Sequence, residues 1–335
     1  MRRVLLPLTV SSNLPGVGSV LREVAGSTMG TSWSARYVLE PGSASEAPND
    51  ALQHQLDSVV AQMSHWENCS NLSRYNNAPA GSWHQLPAEF FQVLSYALEV
   101  ARATDGAYDP CAGALVNRWG FGARLRYDEA SFYAPAASAV EAIVVRRDRE
   151  RIVIDPVARR IQQPGEVQLD LSSVAKGYAV DQLARHLEAR GIIHYLVEVG
   201  GELRGAGLKP DGQPWWVALE GLPDGGDDNP VVVALHGLAV ATSGDYRRYY
   251  QHEGQRASHT LDPRSGYPIR NGLASVTVIH PECMAADALS TALTVLGPDH
   301  GLRFAEQQRL AARFLIRRDG RLEEISSTAF RELLQ

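Results

Sequence analysis

Residues 169–181, LDLSSVAKGYAVD, bring a carboxylate, a lysine and a glycine within eight positions, Asp170 to Gly177. Leu169 and Leu171 flank Asp170 in strand-like alternation. After Gly177, Val180, Leu183, Leu187 and Ile192 fall at roughly helical spacing, with Gly191 where a helix would stop. The pattern predicts a strand turning into a helix. A helix N-terminus offers unpaired N–H groups and the positive end of its dipole, which suit an anion such as phosphate. The lysine sharpens that expectation, because the whole chain has only Lys176 and Lys209 and arginine carries the other positive charge. A capped helix with a solvated lysine would use the same residues, so the segment must be weighed with the rest of the chain.

Three further groups could do chemistry. Asp287 and Thr291 are four apart on a predicted helix, which sets their side chains one turn apart on one face. A carboxylate and a hydroxyl are hard oxygen ligands that suit Mg²⁺, an ion that takes few protein ligands, keeps waters and completes its shell with substrate phosphates. The same D-x-x-x-T spacing also serves as a capping or surface pattern. His259 precedes TLDPRSGYP, a turn rich in Pro and Gly that can hold a side chain rigidly, and imidazole takes a proton near neutral pH. Thr242, Ser243 and Gly244 could supply N–H and hydroxyl donors to a phosphate, while Arg247 and Arg248 serve equally as phosphate clamps or solvated charges. Gly200 and Gly201, after HYLVEV, suit a positive-φ turn or a close approach of backbone to ligand. Met29 and Trp66 read on hydrophobicity alone as core residues.

Eight motifs run in order along the chain: GSTMGTSW (26–33), MSHWENCSNLSRYN (63–76), GAYDPCAGALVNRWGFG (106–122), LDLSSVAKGYAVD (169–181), VEVGGELRGAG (197–207), ATSGDYRRYY (241–250), SHTLDPRSGYP (258–268) and ADALSTALTVLG (286–297). In order and spacing they resemble the ApbE family of FAD:protein FMN transferases, once described as thiamine-biosynthesis lipoproteins, over about residues 22–310. The resemblance implies a mixed α+β architecture of the ApbE-like type in one domain. It implies Mg²⁺ held by Asp287, Thr291 and the backbone carbonyl of Ser173, with His259 as the catalytic base. It places Met29, Trp66, Ala107, Tyr108, Asp109, Asp170, Lys176 and Thr260 at cofactor-binding positions, Thr260 through its backbone. The implied reaction moves FMN from FAD, as substrate, to a Thr or Ser hydroxyl of an acceptor flavoprotein subunit carrying a flavinylation motif, with release of AMP. An aromatic ring at Trp66 goes with transferase rather than hydrolase behaviour. FAD hydrolysis to FMN and AMP, and a non-catalytic flavin carrier, stand as alternatives. Two departures are visible: Cys111 follows Asp109 and Pro110 where relatives carry threonine, and Glu202 stands where they more often carry Asp or Asn.

These residues need elements to position them. The sequence predicts strands over 31–39, 142–145, 151–155, 160–163, 194–199, 215–220, 231–235, 273–279 and 312–316. It predicts helices over 51–66, 87–104, 287–296 and 300–310, a polar linker over 41–50 and a surface turn over 224–229. Strands and helices are interspersed, which makes mixed α/β the expected class. The expected organisation is a loosely ordered segment over 1–21, the transferase domain over 22–310, and C-terminal strands and tail over 311–335 packed on the same domain. At 335 residues and 44% apolar composition a sizeable core needs no staples, and a net charge of −6 without a basic run argues against nucleic acid as a partner. Cys69, Cys111 and Cys283 lie far apart and form no metal-ligand spacing or disulfide framework. No stretch is long and apolar enough to span a bilayer. Arg2 and Arg3 precede a short apolar stretch interrupted by Pro7, a weak leader that reads as cytoplasmic, whereas the resemblance points to the periplasm or cell envelope. With no cysteine near it, no lipid anchor is expected.

Overall fold

The alternation in TSWSARYVL folds as its period of two requires, into the strand Thr31–Leu39 with Trp33, Ala35 and Tyr37 buried. Its hairpin partner is Val20–Thr28, joined through the two-residue loop Met29–Gly30. A computed structural model describes residues 3–10, 13–42, 49–146, 149–221, 231–246, 248–252, 255–318 and 321–334. The turn expected over 224–229, Arg247 and most of the linker over 41–50 lie outside the described residues.

Contacts divide the chain into two units. The first comprises Met1–Ser58, Lys176–Gly244 and Gly272–Gln335. It holds an eight-stranded antiparallel sheet in the order Arg321–Ser326, Ala311–Arg318, Leu273–His280, Leu238–Gly244, Glu202–Ala206, Tyr195–Val199, Thr31–Leu39, Val20–Thr28. The helix Cys283–Gln307 packs on the central strands Leu238–Gly244 and Leu273–His280. It merges the two helices expected over 287–310, with the break falling at Gly297 and Pro298. A smaller sheet pairs Arg3–Leu5 in parallel with Val231–Leu235, which runs antiparallel to Trp215–Ala218. Leu5, Trp215, Val233, Leu235 and Phe330 form one core cluster there.

The second unit comprises Val59–Ala175 and Asp245–Asn271. It carries the three-stranded sheet Trp83–Gln85, Arg160–Gln162, Val153–Asp155 and a set of helices, of which Ala88–Ala103 is the longest. Two sequence expectations fail here. The sequence predicts a strand over residues 142–145, but they close the helix Ala137–Arg146. Val140, Ile143 and Val144 lie at helical spacing, and all three join the cluster of Leu115, Trp119 and Phe121, so packing overrides β propensity. Leu169–Leu171 is not a strand either. It is extended but tied by a side chain: the Asn76 amide donates to the Leu169 carbonyl and accepts from the Leu169 N–H, both at 2.8 Å. Asp170 N–H donates to the Pro110 carbonyl at 2.8 Å. A side-chain clamp thus does here what a neighbouring strand would do.

Candidate functional site

In the first unit, the helix Ala175–Glu188 and the helix Cys283–Gln307 meet at a glycine. A Cβ on Gly177 would stand 2.3 Å from the Cys283 carbonyl oxygen and 2.8 Å from the Asp287 Cβ, so only glycine allows the approach. Gly177 N–H donates to Asp287 Oδ2 at 2.9 Å. In a continuing helix that N–H would go to the Ser173 carbonyl, but regular helix bonding begins one residue later. One turn further on, the buried Asp181 carboxylate accepts from the N–H groups of Cys283 (3.1 Å) and Met284 (2.9 Å). It thereby caps the first turn of the Asp287 helix, whose own N-cap residue, Glu282, makes no side-chain cap. Arg204 pairs with Asp181 at 2.7 Å. The segment 169–181 is therefore in large part a device for fixing Asp287, and Asp181, to which sequence reading gives no role, is half of it.

Asp287 is 4% exposed. Burial raises its pKa most; the Lys176 ammonium opposes this, the Glu202 carboxylate reinforces it, and the Gly177 N–H opposes it, with the net result pushed up to about 7. Lys176 is paired with buried Glu202, whose Oε2 has no hydrogen-bond partner among the described residues. Glu202 reaches this position because Gly200 and Gly201, at φ 62° and 101°, make a two-residue turn between Tyr195–Val199 and Glu202–Ala206. The Lys176 ammonium therefore acts on two buried carboxylates, by an ion pair with Glu202 and electrostatically on Asp287. Thr291 lies one turn along from Asp287, and its Oγ1 is 3.0 Å from Ser243 Oγ. Among the described residues no cluster of three or more His, Cys, Asp or Glu side chains forms a metal cage. The donors present, one carboxylate and one hydroxyl, fit a hard cation that keeps most of its shell for water and phosphate.

Met29 belongs to the same unit and is not a core residue. It stands at the tip of the first hairpin with φ 50°, beside Gly30 at φ 72°, a left-handed conformation rare for a long side chain.

The second unit holds the other expected residues. Trp66 is 46% exposed and 5.4 Å, centroid to centroid, from the ring of His65. His65 Nδ1 lies 3.4 Å from Asp170 Oδ1, which also accepts from the Ser172 N–H at 2.8 Å and the Ser172 hydroxyl at 2.6 Å. Burial alone would raise the Asp170 pKa, but the His65 charge and hydrogen bond and the two Ser172 donors outweigh it and hold the carboxylate at about 2. Burial disfavours the His65 cation, yet the charge and hydrogen bond of Asp170 lift its pKa above the ordinary value, against a smaller push from Arg248. His65 was not singled out in the sequence; only its place beside Trp66 marked it. Ala107, Tyr108 and Asp109 are all buried, and Asp109 Oδ1 accepts from the Cys111 N–H at 2.8 Å. Because that bond uses the main chain, the cysteine at 111 keeps it. Ser173 sits in the turn that leads into the Lys176 helix.

His259 follows the strand Gln255–Ser258, and its Nδ1 and N–H both lie 3.1 Å from the Arg248 carbonyl oxygen. A carbonyl only accepts, so Nδ1 carries a proton and the neutral ring keeps its lone pair on Nε2. Thr260 is buried, with its N–H donating to Ser258 Oγ at 3.2 Å and its carbonyl accepting from Ile269 at 3.1 Å. The turn beyond is pinned where Trp119 Nε1 donates to the Gly266 carbonyl at 2.7 Å.

A sequence model of the ApbE family matches residues 29–314. The chain belongs to the ApbE family. The FAD:protein FMN transferase of Haemophilus influenzae is 37% identical over 322 residues, covering 93% of this chain and 91% of the relative. That of Vibrio cholerae is 34% identical over 337 residues, covering 100% and 99%. The apo structure of the Pseudomonas stutzeri flavinyl transferase ApbE superposes with a TM-score of 0.84 at 37% identity, spanning 94% of this chain and 97% of that one. As an ApbE-family chain it is an enzyme of the transferase class, and its interspersed strands and helices form the mixed α+β fold of its solved relatives.

Proposed function

We propose that the chain is a Mg²⁺-dependent FAD:protein FMN transferase that joins FMN through a phosphoester bond to a Thr or Ser hydroxyl of a target protein. The observation that carries the proposal is the buried Asp287 carboxylate, presented one turn from Thr291 by the Gly177 and Asp181 contacts. The names of the relatives support the same reading. Asp287 and Thr291 would hold Mg²⁺, with the Ser173 carbonyl, left out of the helix ladder, as a further oxygen ligand. When bound, the ion would neutralise charge developing on the pyrophosphate and orient it. Lys176 adds positive charge at the start of its helix, where an anion is favoured. His259 Nε2 would take the proton of the acceptor hydroxyl. The acceptor oxygen bonds to the flavin-side phosphorus, the bond from that phosphorus to the bridging oxygen breaks, and AMP leaves with the electron pair. The exposed Trp66 indole would stack on the flavin and shield the phosphorus from water. Met29, Ala107, Tyr108, Asp109, Asp170 and Thr260 complete the proposed FAD contacts.

The test is Asp287→Asn, which keeps the shape of the side chain and removes its charge. With FAD, Mg²⁺ and an acceptor protein bearing the flavinylation motif, transfer should fall by more than about 10³-fold with the circular dichroism spectrum unchanged. EDTA should reproduce the loss in the unmodified enzyme, and excess Mg²⁺ should reverse it. Full transfer by the variant, or in chelator, would refute the metal assignment.

A further inference from the structure

Counting protons among three hydroxyls fixes which way Thr291 faces. Ser290 Oγ lies 2.9 Å from the Asp287 backbone carbonyl, which can only accept, so the single Ser290 proton is spent there. Ser243 Oγ lies 2.8 Å from Ser290 Oγ, and with the Ser290 proton spent, Ser243 must be the donor. Ser243 then has no proton left for Thr291, 3.0 Å away, so Thr291 must donate to Ser243. The chain of donors runs Thr291 to Ser243 to Ser290 to the Asp287 carbonyl, and both ends sit on the helix turn that carries the Asp287 carboxylate. Ser243 is fixed in turn by its strand: Leu238–Gly244 pairs with Leu273–His280 at Ser243 opposite Val276.

We propose that Ser243 is a positioning residue for the cation site, taking the Thr291 proton so that the Thr291 oxygen keeps its lone pairs for a divalent cation. The inference rests on the metal reading above and adds to it a reason why Thr291 is a ligand rather than a donor. A hydroxyl that turned its proton toward a cation would repel it. By residue type Ser243 could donate to a phosphate, but its only proton goes to Ser290 instead.

The test uses the full-length protein with FAD and no acceptor, and Mn²⁺ as the probe, read by electron paramagnetic resonance of bound against free ion. Ser243→Ala should weaken Mn²⁺ binding about tenfold, the scale typical of groups that orient a ligand, and Ser243→Thr should restore it. In a Thr291→Val background, Ser243→Ala should cost nothing further, because its effect passes through Thr291. A merely structural serine would give the same loss in both backgrounds, which would overturn the proposal, as would unchanged binding in Ser243→Ala. Should Ser243→Ala fail to fold, Ser290→Ala serves instead. It frees the Ser243 proton to point at Thr291, and it too should weaken Mn²⁺ binding only where Thr291 is present. Asp287→Asn separates the two levels. If it abolishes Mn²⁺ binding while the serine variants do not affect it, the metal reading stands and the Ser243 role fails. If Asp287→Asn also binds as the unmodified protein does, both fail.

Discussion

At the scale of single residues, His259 and His65 illustrate two uses of one side chain. His259 spends its Nδ1 proton on the Arg248 carbonyl, which fixes the tautomer and leaves Nε2 as the basic atom. His259→Gln should therefore lower FMN transfer by roughly 10²–10⁴-fold while FAD affinity, followed by flavin fluorescence, changes little. A parallel collapse of FAD binding would make His259 a binding residue and place the base elsewhere. His65 is held instead against Asp170. The depressed Asp170 pKa contributes stability that is present above about pH 4 and lost as pH falls toward 2. The raised His65 pKa contributes stability that is complete below about pH 6.5 and lost as pH rises through its folded value. The pair is thus strongest between about pH 4 and 6.5. His65→Ala should cost about 1–2 kcal/mol in urea unfolding at pH 5.5 and clearly less at pH 9. Equal losses at the two pH values would contradict the ion pair.

At the scale of elements, the close packing of Ala175–Glu188 against Cys283–Gln307 carries the most consequence per atom. Gly177→Ala inserts a methyl group against backbone, which cannot swing aside as a flexible side chain could. The helices must part, at a cost of about 1–3 kcal/mol, and the Gly177 bond to Asp287 must lengthen. The variant should melt several degrees lower and lose transfer activity out of proportion to its lost stability. Unchanged melting and transfer in the variant would contradict so tight an approach. This contact was half legible in the sequence: the A-K-G step marked a glycine at a helix start, but nothing local said that a second helix 110 residues on would touch it. The regular elements were read from their periods, as in Thr31–Leu39 and Ala88–Ala103. The failures share a cause. Ala137–Arg146 takes its form from the Trp119 cluster, and Leu169–Leu171 takes its form from the Asn76 amide, neither of which is near in sequence.

At the scale of the molecule, the chain leaves the first unit after Ser58, returns at Lys176, leaves again after Gly244 and returns at Gly272. The motifs follow that path. Met29, Lys176, Asp287 and Thr291 fall in one unit, and Trp66, Asp109, Asp170, Ser173, His259 and Thr260 in the other. Sequence reading could order these motifs and name their residue types, but the Asp181 cap, the Lys176–Glu202 pair and the Ser243 hydroxyl relay are visible only once helices and strands distant in sequence are brought together. Among the described residues no helix is long and apolar enough to cross a membrane. On the proposed function, FAD is split only as FMN passes to protein. The most direct test of this coupling follows one incubation of the enzyme with FAD, Mg²⁺ and an acceptor protein, measuring AMP by chromatography and covalent FMN by intact-protein mass spectrometry. One AMP is expected for each FMN attached to acceptor, and little AMP when the acceptor is omitted. AMP released at the same rate with and without acceptor, with no labelled protein, would contradict it in favour of hydrolysis, and FAD bound with no AMP released would leave only a carrier.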